Sequence, residues 1–286
     1  MQSHLLRSVV ERLDASVSEG AAPLGMPEGR ARAGHLVRTL EHQVIPRVVQ
    51  AHRGPAGAEL IPAEGDLRQF VAHLMTGDEA GVQADVQRLR GQGVSVESLY
   101  LHLLAPAACM LGSLWDQDLC DFPAVTVGTG RLQRLLRELS PEFEGEATPR
   151  QPPTGPVRRI LLVQPPQEQH SFGLSMVASF FRREGWLVDG GVGTTSPEPA
   201  LRAQADWFDV VGYSCGSQSR VAWMRDSITS LRLMSRNPGV VVMVGGPVFQ
   251  QQPEWVQWVG ADVCAAEAHL APMLAGGLLA AKASQH

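Results

Sequence analysis

Residues Ile160–Gly173, ILLVQPPQEQHSFG, decide the fold of the second half of this chain. The apolar start of the stretch predicts the first strand of an α/β domain, and the residues after it predict the loop that leaves this strand. In open parallel sheets, ligands bind beyond the carboxyl ends of the strands, which is where this loop places His170. An imidazole with Glu168 two residues before it and Gly173 three residues after it suits an axial metal ligand that an acid orients. The alternative is a loop histidine that is hydrogen-bonded to backbone.

Two further strand ends carry residues that suit ligand binding. The segment Asp209–Gly216, DVVGYSCG, ends an apolar run with Ser214, and Val240–Pro247, VVVMVGGP, ends another with Gly245 and Gly246. Paired glycines allow a ligand to approach the backbone closely. Because the carboxyl ends of parallel strands meet at one edge of a sheet, we expect the histidine, the serine and the two glycines to lie together.

Residues 158–286 alternate between apolar runs and amphipathic segments. This alternation predicts a mainly parallel, five-stranded sheet with helices on both faces, a flavodoxin/Rossmann-like α/β domain. The strands are predicted at Arg159–Val163, Leu187–Asp189, Asp209–Tyr213, Val240–Val244 and Val263–Ala265. Helices are predicted to begin near Phe172, Glu198, Ser219, Pro253 and Ala266.

The first half of the chain has apolar residues at helical spacing and predicts a bundle of four or five helices over residues 1–140. Gly34–Arg53 is one candidate helix, although Pro46 must kink or end it. The others are Asp66–Met75, Glu79–Arg90, Ser95–Trp115 and Phe122–Leu139. The proline-rich residues 141–157 predict a stiff, polar linker between the bundle and the α/β domain. The predicted fold class is therefore α followed by α/β.

The composition is that of a globular protein without an excess of positive charge. The 286 residues are 44% hydrophobic and 19% charged, and their net charge is −5. We therefore expect no direct sequence-specific binding to nucleic acid and no membrane association. The four cysteines form no CxxC pair, which argues against a zinc knuckle or a disulfide framework. Together with the lack of a signal-peptide core, this pattern predicts a cytoplasmic protein.

The three strand-end motifs resemble the DxHxxG…SxL…GG signature of cobalamin-binding domains in methionine synthase and the mutases. Their spacing is similar, with 40 residues between Gly173 and Ser214 and 28 between Gly216 and Gly245. Two positions depart from the signature, because Glu168 stands for the usual aspartate and Gly216 for the usual leucine. These departures concern the fine geometry of the site rather than cobalt binding.

The resemblance implies that cobalamin binds base-off/His-on, with His170 as the axial cobalt ligand and Glu168 as the acid that orients it. The displaced nucleotide tail of the cofactor would enter the sheet beside the serine and glycine motifs. The residues implied to bind the cofactor are Glu168, Gln169, His170, Ser171, Phe172, Gly173, Ser214, Gly216, Gly245, Gly246 and Trp115.

Trp115 enters this set through a second resemblance. The stretch Leu103–Trp115, LLAPAACMLGSLW, looks like the helix-bundle cap of cobalamin proteins, in which an LxPxxxxxGxxW motif places the tryptophan over the upper face of the corrin. The alternative is a core aromatic between helices. In light-sensing transcription factors a Glu-His pair follows ten and eleven residues after this tryptophan, whereas this chain has Val125 and Thr126 there.

The chain resembles cobalamin-binding regulators of the AerR/PpaA type, which control photosynthesis genes, more closely than it resembles those transcription factors. Glu168–Arg183, EQHSFGLSMVASFFRR, matches that group's form of the histidine motif, and Leu40–Arg53 is similar to its N-terminal segment. The resemblance implies a photoreceptor that binds cobalamin and acts as an antirepressor on a partner transcriptional repressor. We therefore expect a non-enzymatic regulator, with homodimerisation left open.

Two alternatives use the same histidine. One is a corrinoid methyl-carrier subunit of a methyltransferase system, and the other is a heme-based redox or gas sensor. Composition does not separate cobalt from iron, and it leaves open a hydroxo/aquo-, methyl- or adenosyl- upper ligand. His35, His42 and His52 are candidates for a second axial bond.

Overall fold

The computed structural model describes residues 60–145, 157–168, 170–191 and 198–283. Its first part is a bundle of four helices, which run over the four segments predicted between residues 66 and 139. The helices are α1 (Glu64–Thr76), α2 (Glu79–Gly91), α3 (Val96–Asp116) and α4 (Phe122–Gly145). The further candidate helix at Gly34–Arg53 lies outside the described residues.

Helix α4 corrects the predicted start of the linker. It continues to Gly145, so the first five residues of the predicted linker are helical, including Pro141. The reason is Phe143, which is fully buried and stacks on Tyr100 with 4.3 Å between the ring centroids. Burial of this aromatic ring outweighs the unfavourable effect of the proline on the helix.

Helix α3 is the central helix of the bundle and contains a π-helical segment at Tyr100–Leu104. The segment ends two residues before Pro106, whose missing N–H prevents a regular helical hydrogen bond to this part of the helix. By length and hydropathy alone, Val96–Asp116 could span a membrane. Its apolar residues instead form part of the bundle core, among them Leu99, Leu103 and Leu111.

The second part of the structure is an α/β domain with a five-stranded parallel sheet, as the sequence predicted. Its strands are β1 (Arg159–Val163), β2 (Leu187–Gly190), β3 (Val210–Ser214), β4 (Val241–Gly245) and β5 (Val263–Ala265), in the order β2-β1-β3-β4-β5. Its helices are α5 (Phe172–Arg183), α6 (Pro199–Ala205), α7 (Val221–Met234), α8 (Pro247–Gln251), α9 (Glu254–Trp258) and α10 (Ala271–Ala283). The five-residue helix α8 was not predicted, and the helix expected near Ala266 begins at Ala271.

The sheet is buried on both faces because its strands are nearly continuous apolar runs. Alternate residues point to opposite faces, so Ile160 and Leu162 pack with α5 and α10, while Leu161 and Val163 pack with α7. The chain leaves β1 towards β2 and later returns to β3 on the other side of β1. In a sheet of this order the crevice for ligands opens beyond the carboxyl ends of β1 and β3.

Helix α5 joins the bundle to the sheet. Phe172, Met176 and Phe180 belong to the core of the bundle, whereas other residues of α5 pack on the sheet. The ring of Phe180 meets that of Phe143 edge-on at 5.0 Å, and Arg183 Nη1 lies 2.7 Å from Glu97 Oε2. The apolar core of the bundle is therefore completed by residues of the α/β domain, and it is the shared core of the two domains, whereas each face of the sheet has a further core of its own.

Candidate cofactor-binding cleft

A cleft of about 2150 Å³ separates the helical bundle from the carboxyl ends of the strands. Helices α3 and α4 form one wall, and the loops after β1, β3, β4 and β5 form the other. Drug-sized ligands occupy pockets of about 300–1000 Å³. The cleft is therefore large enough for an extended ligand such as a macrocycle with a nucleotide tail.

His170 lies at the mouth of this cleft, on the loop between β1 and α5. Its side chain is 66% exposed, whereas the side chain of Glu168 is only 1% exposed. Oε1 of Glu168 accepts hydrogen bonds from Nδ1 of His170 at 2.6 Å and from its backbone N–H at 3.0 Å. Because Nδ1 is engaged, Nε2 is the ring nitrogen that remains to bind a metal ion.

Glu168 also ties this loop to the neighbouring strand. Its second oxygen, Oε2, accepts hydrogen bonds from the backbone N–H groups of Gly216 at 2.9 Å and Ser217 at 3.2 Å. Both donors follow β3. One carboxylate thus holds the imidazole and joins the loops after β1 and β3.

The charges of this pair are strongly coupled. Burial alone would raise the pKa of Glu168, but hydrogen bonds from the ring and backbone of His170 and from Gly216 outweigh it and lower this pKa to about 2. The hydrogen bond to Glu168 raises the pKa of His170 against the effect of burial, and the charge of Asp116 on the opposite wall adds to the increase. An ionised acid on Nδ1–H fixes the tautomer and makes Nε2 a better metal ligand.

Gly216 is required by the position of this imidazole. A Cβ atom on residue 216 would overlap Nδ1 and Cγ of the His170 ring and lie 2.9 Å from its Cβ. The departure from the SxL motif at this position therefore has a steric cause. In this chain the residue makes room for the candidate ligand.

The other strand-end residues predicted from the sequence also line the cleft. Ser214 pairs with Gly245 across β3 and β4, and Gly246 follows with φ of 104°. A Cβ atom on Gly246 would overlap the carbonyl oxygen of Cys215, so only glycine fits there. At Gly173 no other atom lies within 4 Å of a Cβ position, which leaves its backbone open to a ligand.

Trp115 lies on the opposite wall and is not a core aromatic. Its side chain is 43% exposed and lines the cleft, with its ring centroid 5.9 Å from that of Phe122. Phe122 is 58% exposed and was not singled out from the sequence, because a single aromatic residue at a helix start carries no periodic signal. Val125 and Thr126, which replace the Glu-His pair, line the same wall.

Several more residues of the bundle wall were missed from the sequence. They form one face of each helix, at spacings of three and four, and they are mostly small: Ala105, Ala108, Cys109 and Gly112 on α3, and Thr129, Gly130 and Gln133 on α4. A stripe of small residues on a helix that faces a large cleft is the signal that could have found them.

Two of the predicted site residues also belong to the interface between the domains. Phe172 is buried in the bundle core as well as lining the cleft, and Ser171 accepts a hydrogen bond from Gln133 Nε2 at 2.6 Å. The remaining candidates lie outside the described residues, namely Gln169, His35, His42 and His52.

The residues present fit a metal that a macrocycle already holds. Within the described ranges no group of three or more His, Cys, Asp or Glu residues could by itself hold a metal ion. His170 instead offers one nitrogen at the edge of a large cleft. A single protein ligand suffices when a macrocycle supplies the other donor atoms.

The sequence matches two family models, each described as a B12 binding domain, over residues 158–274 and 66–140. It is also 28% identical over 174 residues to the "Uncharacterized 20.5 kDa protein in bchF-crtJ intergenic region" of Rhodobacter capsulatus. That alignment covers 61% of this chain and 88% of the relative.

The solved structures that are similar to the chain include two corrinoid- or cobalamin-binding proteins. The monomethylamine corrinoid protein of Methanosarcina barkeri aligns with a TM-score of 0.62 at 16% identity, over 74% of this chain and 97% of that one. A cobalamin-binding protein from Desulfitobacterium hafniense DCB-2 aligns with a TM-score of 0.37 at 17% identity, over 76% and 97%. The first alignment shows a shared fold.

Proposed function

The chain is a cobalamin-binding protein in which a helical cap faces a B12-binding α/β domain, and from this premise we propose that it is a light-responsive transcriptional regulator that acts through a partner repressor. The family models support cobalamin binding, and together with the Rhodobacter capsulatus relative they are consistent with a protein of the AerR/PpaA type. The proposed role is antirepressor-like and non-enzymatic. The observation that carries cobalamin binding is the His170–Glu168 pair at the mouth of a cleft that the cap covers, and the regulatory role is supported by the Rhodobacter capsulatus relative.

In this proposal each wall of the cleft has its own task. Nε2 of His170 would ligate the cobalt from below, and Glu168 would keep the proton on Nδ1. The nucleotide tail would lie against Ser214 and the Gly245-Gly246 pair, which line the cleft. Trp115 on the cap would face the upper side of the corrin.

The response to light would begin at the upper wall. Bound cobalamin would supply a light-absorbing cobalt centre next to this wall. Trp115 and Phe122 contact each other edge-on and are both partly exposed, so they have room to repack. We propose that this corner of the cap changes shape and alters the surface that the partner repressor contacts.

A corrinoid methyl carrier is the second candidate function. The feature that favours it is the fold shared with the Methanosarcina barkeri corrinoid protein. Against it, the segment Glu168–Arg183 resembles the regulator group, and the Rhodobacter capsulatus relative is named for the bchF-crtJ region. The matched models are B12-binding domains and give the heme alternative no support.

The absorption spectrum of the purified protein, loaded with cobalamin and kept in the dark, tests this proposal. We expect a base-off/His-on corrinoid spectrum that changes on illumination. A corrinoid spectrum that light does not alter, with methyl transfer to an added methyltransferase, would instead identify a carrier. A Soret band in the protein as isolated would exclude cobalamin as its cofactor. The isolated chain should give no sequence-selective shift of DNA in a gel assay.

A further inference from the structure

The loop that carries His170 is held by hydrogen bonds on both sides of this residue, and the two sets of bonds go to different domains. At one end Glu168 accepts hydrogen bonds from the backbone after β3. At the other end Ser171, the next residue after His170, accepts a hydrogen bond from Nε2 of Gln133 at 2.6 Å. Gln133 belongs to α4, so this second hydrogen bond joins the cap to the α/β domain.

The hydroxyl group of Ser171 is used for this contact and not for its own helix. Ser171 occupies the N-cap position of α5, yet its side chain makes no capping hydrogen bond. Serine at this position usually accepts a bond from the backbone of the first helical turn. The residue is 8% exposed, so its hydrogen bond with Gln133 is largely shielded from water.

Gln133 lies where α4 changes its surroundings. Before it, Thr126, Thr129 and Gly130 line the cleft. After it, Ser140 Oγ lies 3.2 Å from Ser179 Oγ of α5, and Phe143 enters the shared core. A displacement of the cleft-lining part of α4 therefore reaches the loop of His170 through the bond between Gln133 and Ser171.

We propose that Gln133 is a positioning residue, which couples the cap helix α4 to the His170 loop through its hydrogen bond to Ser171. In this role it sets the placement of the imidazole below the cofactor, and it carries changes in ligation to the cap. The inference rests on cobalamin binding at His170 and adds a residue and a route that the proposed function does not specify.

A double-mutant cycle tests this coupling. The variants are Gln133→Leu, Ser171→Ala and the double variant, each titrated with hydroxocobalamin. One hydrogen bond of this kind predicts that each single variant binds about two- to tenfold more weakly. Because both singles remove the same bond, the double variant should lose no more than either one. Electron paramagnetic resonance of the Co(II) form should show a weakened or heterogeneous nitrogen splitting in all three.

The matched control is Ser179→Ala. It removes the Ser140–Ser179 contact between the same two helices but leaves the His170 loop untouched. Cobalamin affinity and the nitrogen splitting should stay at wild-type values in this variant. Equal losses in Ser179→Ala and Gln133→Leu would mean that general packing between the helices, and not this bond, positions the histidine.

Hydrogen exchange without cobalamin separates this inference from the proposed function. Amides of residues 170–172 should exchange faster in Gln133→Leu and Ser171→Ala than in the wild type and in Ser179→Ala. Additive losses in the cycle, or unchanged exchange in this loop, would overturn the role of Gln133 even if the wild type binds cobalamin. A wild type that binds no cobalamin would refute the cofactor assignment, and the exchange experiment would still decide whether Gln133 holds the loop.

Discussion

Gly216 and His170 fit together only because residue 216 has no side chain. The two residues are 46 positions apart in sequence, yet a Cβ atom at 216 would overlap two atoms of the imidazole. The backbone N–H of Gly216 also binds the carboxylate that orients this imidazole. The loop after β3 therefore determines both the space and the orientation available to the candidate cobalt ligand.

Gly216→Ala should displace the His170 ring. We expect cobalamin affinity to fall about tenfold or more, since disturbing an outer-shell contact of a metal ligand typically costs 10–100-fold. Gly173→Ala is the matched control, because a Cβ atom there meets no protein atom within 4 Å. The control should keep the His-on spectrum, and its affinity reports how closely the cofactor approaches that backbone. An unchanged His-on spectrum in Gly216→Ala would contradict the steric account.

His170→Ala should abolish the His-on spectrum and leave a base-off form with water below the cobalt. The Co(II) form should lose its nitrogen splitting in electron paramagnetic resonance. His102→Ala removes another imidazole that lines the same cleft and should retain that splitting. Retention of the splitting in His170→Ala would show that a different nitrogen ligates the cobalt.

Glu168→Gln should weaken cobalamin binding by about 10–100-fold without unfolding the domain. The amide can turn its NH2 group towards His170, which then places its proton on Nε2 and loses the lone pair needed for the metal. Titration with hydroxocobalamin measures the loss. Glu267→Gln, on the loop after β5, removes an acid near a different cleft histidine and is expected to have a smaller effect. Equal losses would contradict a specific role for Glu168.

The same variant has a pH-dependent effect on the unliganded protein. The lowered pKa of Glu168 stabilises the fold above about pH 4.5, and this contribution is lost as the pH falls towards 2. The raised pKa of His170 gives a stabilisation of the fold that is fully present below about pH 6.5. This stabilisation is lost as the pH rises through the raised pKa. The difference in unfolding free energy between wild type and Glu168→Gln should therefore be largest between pH 4.5 and 6.5. Urea unfolding across this range measures it, and a flat difference would contradict the coupled pair.

Phe143→Ala should destabilise both domains together. The ring is fully buried, stacks on Tyr100 and lies under the guanidinium of Arg183 at 4.5 Å. Removing such a ring costs about 3–5 kcal/mol of unfolding free energy. Leu233→Ala, at a side chain that is 82% exposed, should change it by less than about 0.5 kcal/mol. Two separate transitions in the wild type, only one of them shifted in Phe143→Ala, would argue against a shared core.

Local pattern was sufficient to predict the sheet and to place the candidate site residues at its carboxyl edge. The strands Arg159–Val163 and Val263–Ala265 have the predicted bounds, because each is a short apolar run with clear ends. His170 and Glu168 could be placed from their position after the first strand, since the topology of a parallel sheet puts such loops at the ligand crevice.

Contacts between distant residues could not be predicted in this way. The steric role of Gly216 depends on a ring 46 positions away. Gln133 looks like an ordinary polar residue on an amphipathic helix until Ser171 is placed beside it. The extension of α4 past Pro141 depends on the burial of Phe143, which local propensity does not register. In each case the observed structure depends on tertiary packing, which the local sequence does not predict.

Helix α5 packs on both the bundle and the sheet, and this limits how the protein can be divided into fragments or recombined with other domains. A fragment beginning at residue 157 would keep its sheet. It would expose the apolar side chains of Phe172, Met176 and Phe180, which the bundle covers in the whole protein. Such a fragment would be prone to self-association. A bundle joined to a different α/β domain would need a complementary apolar surface on that domain to pack against. A substitution on the face of α4 that packs against α5 would therefore need a compensating substitution on α5.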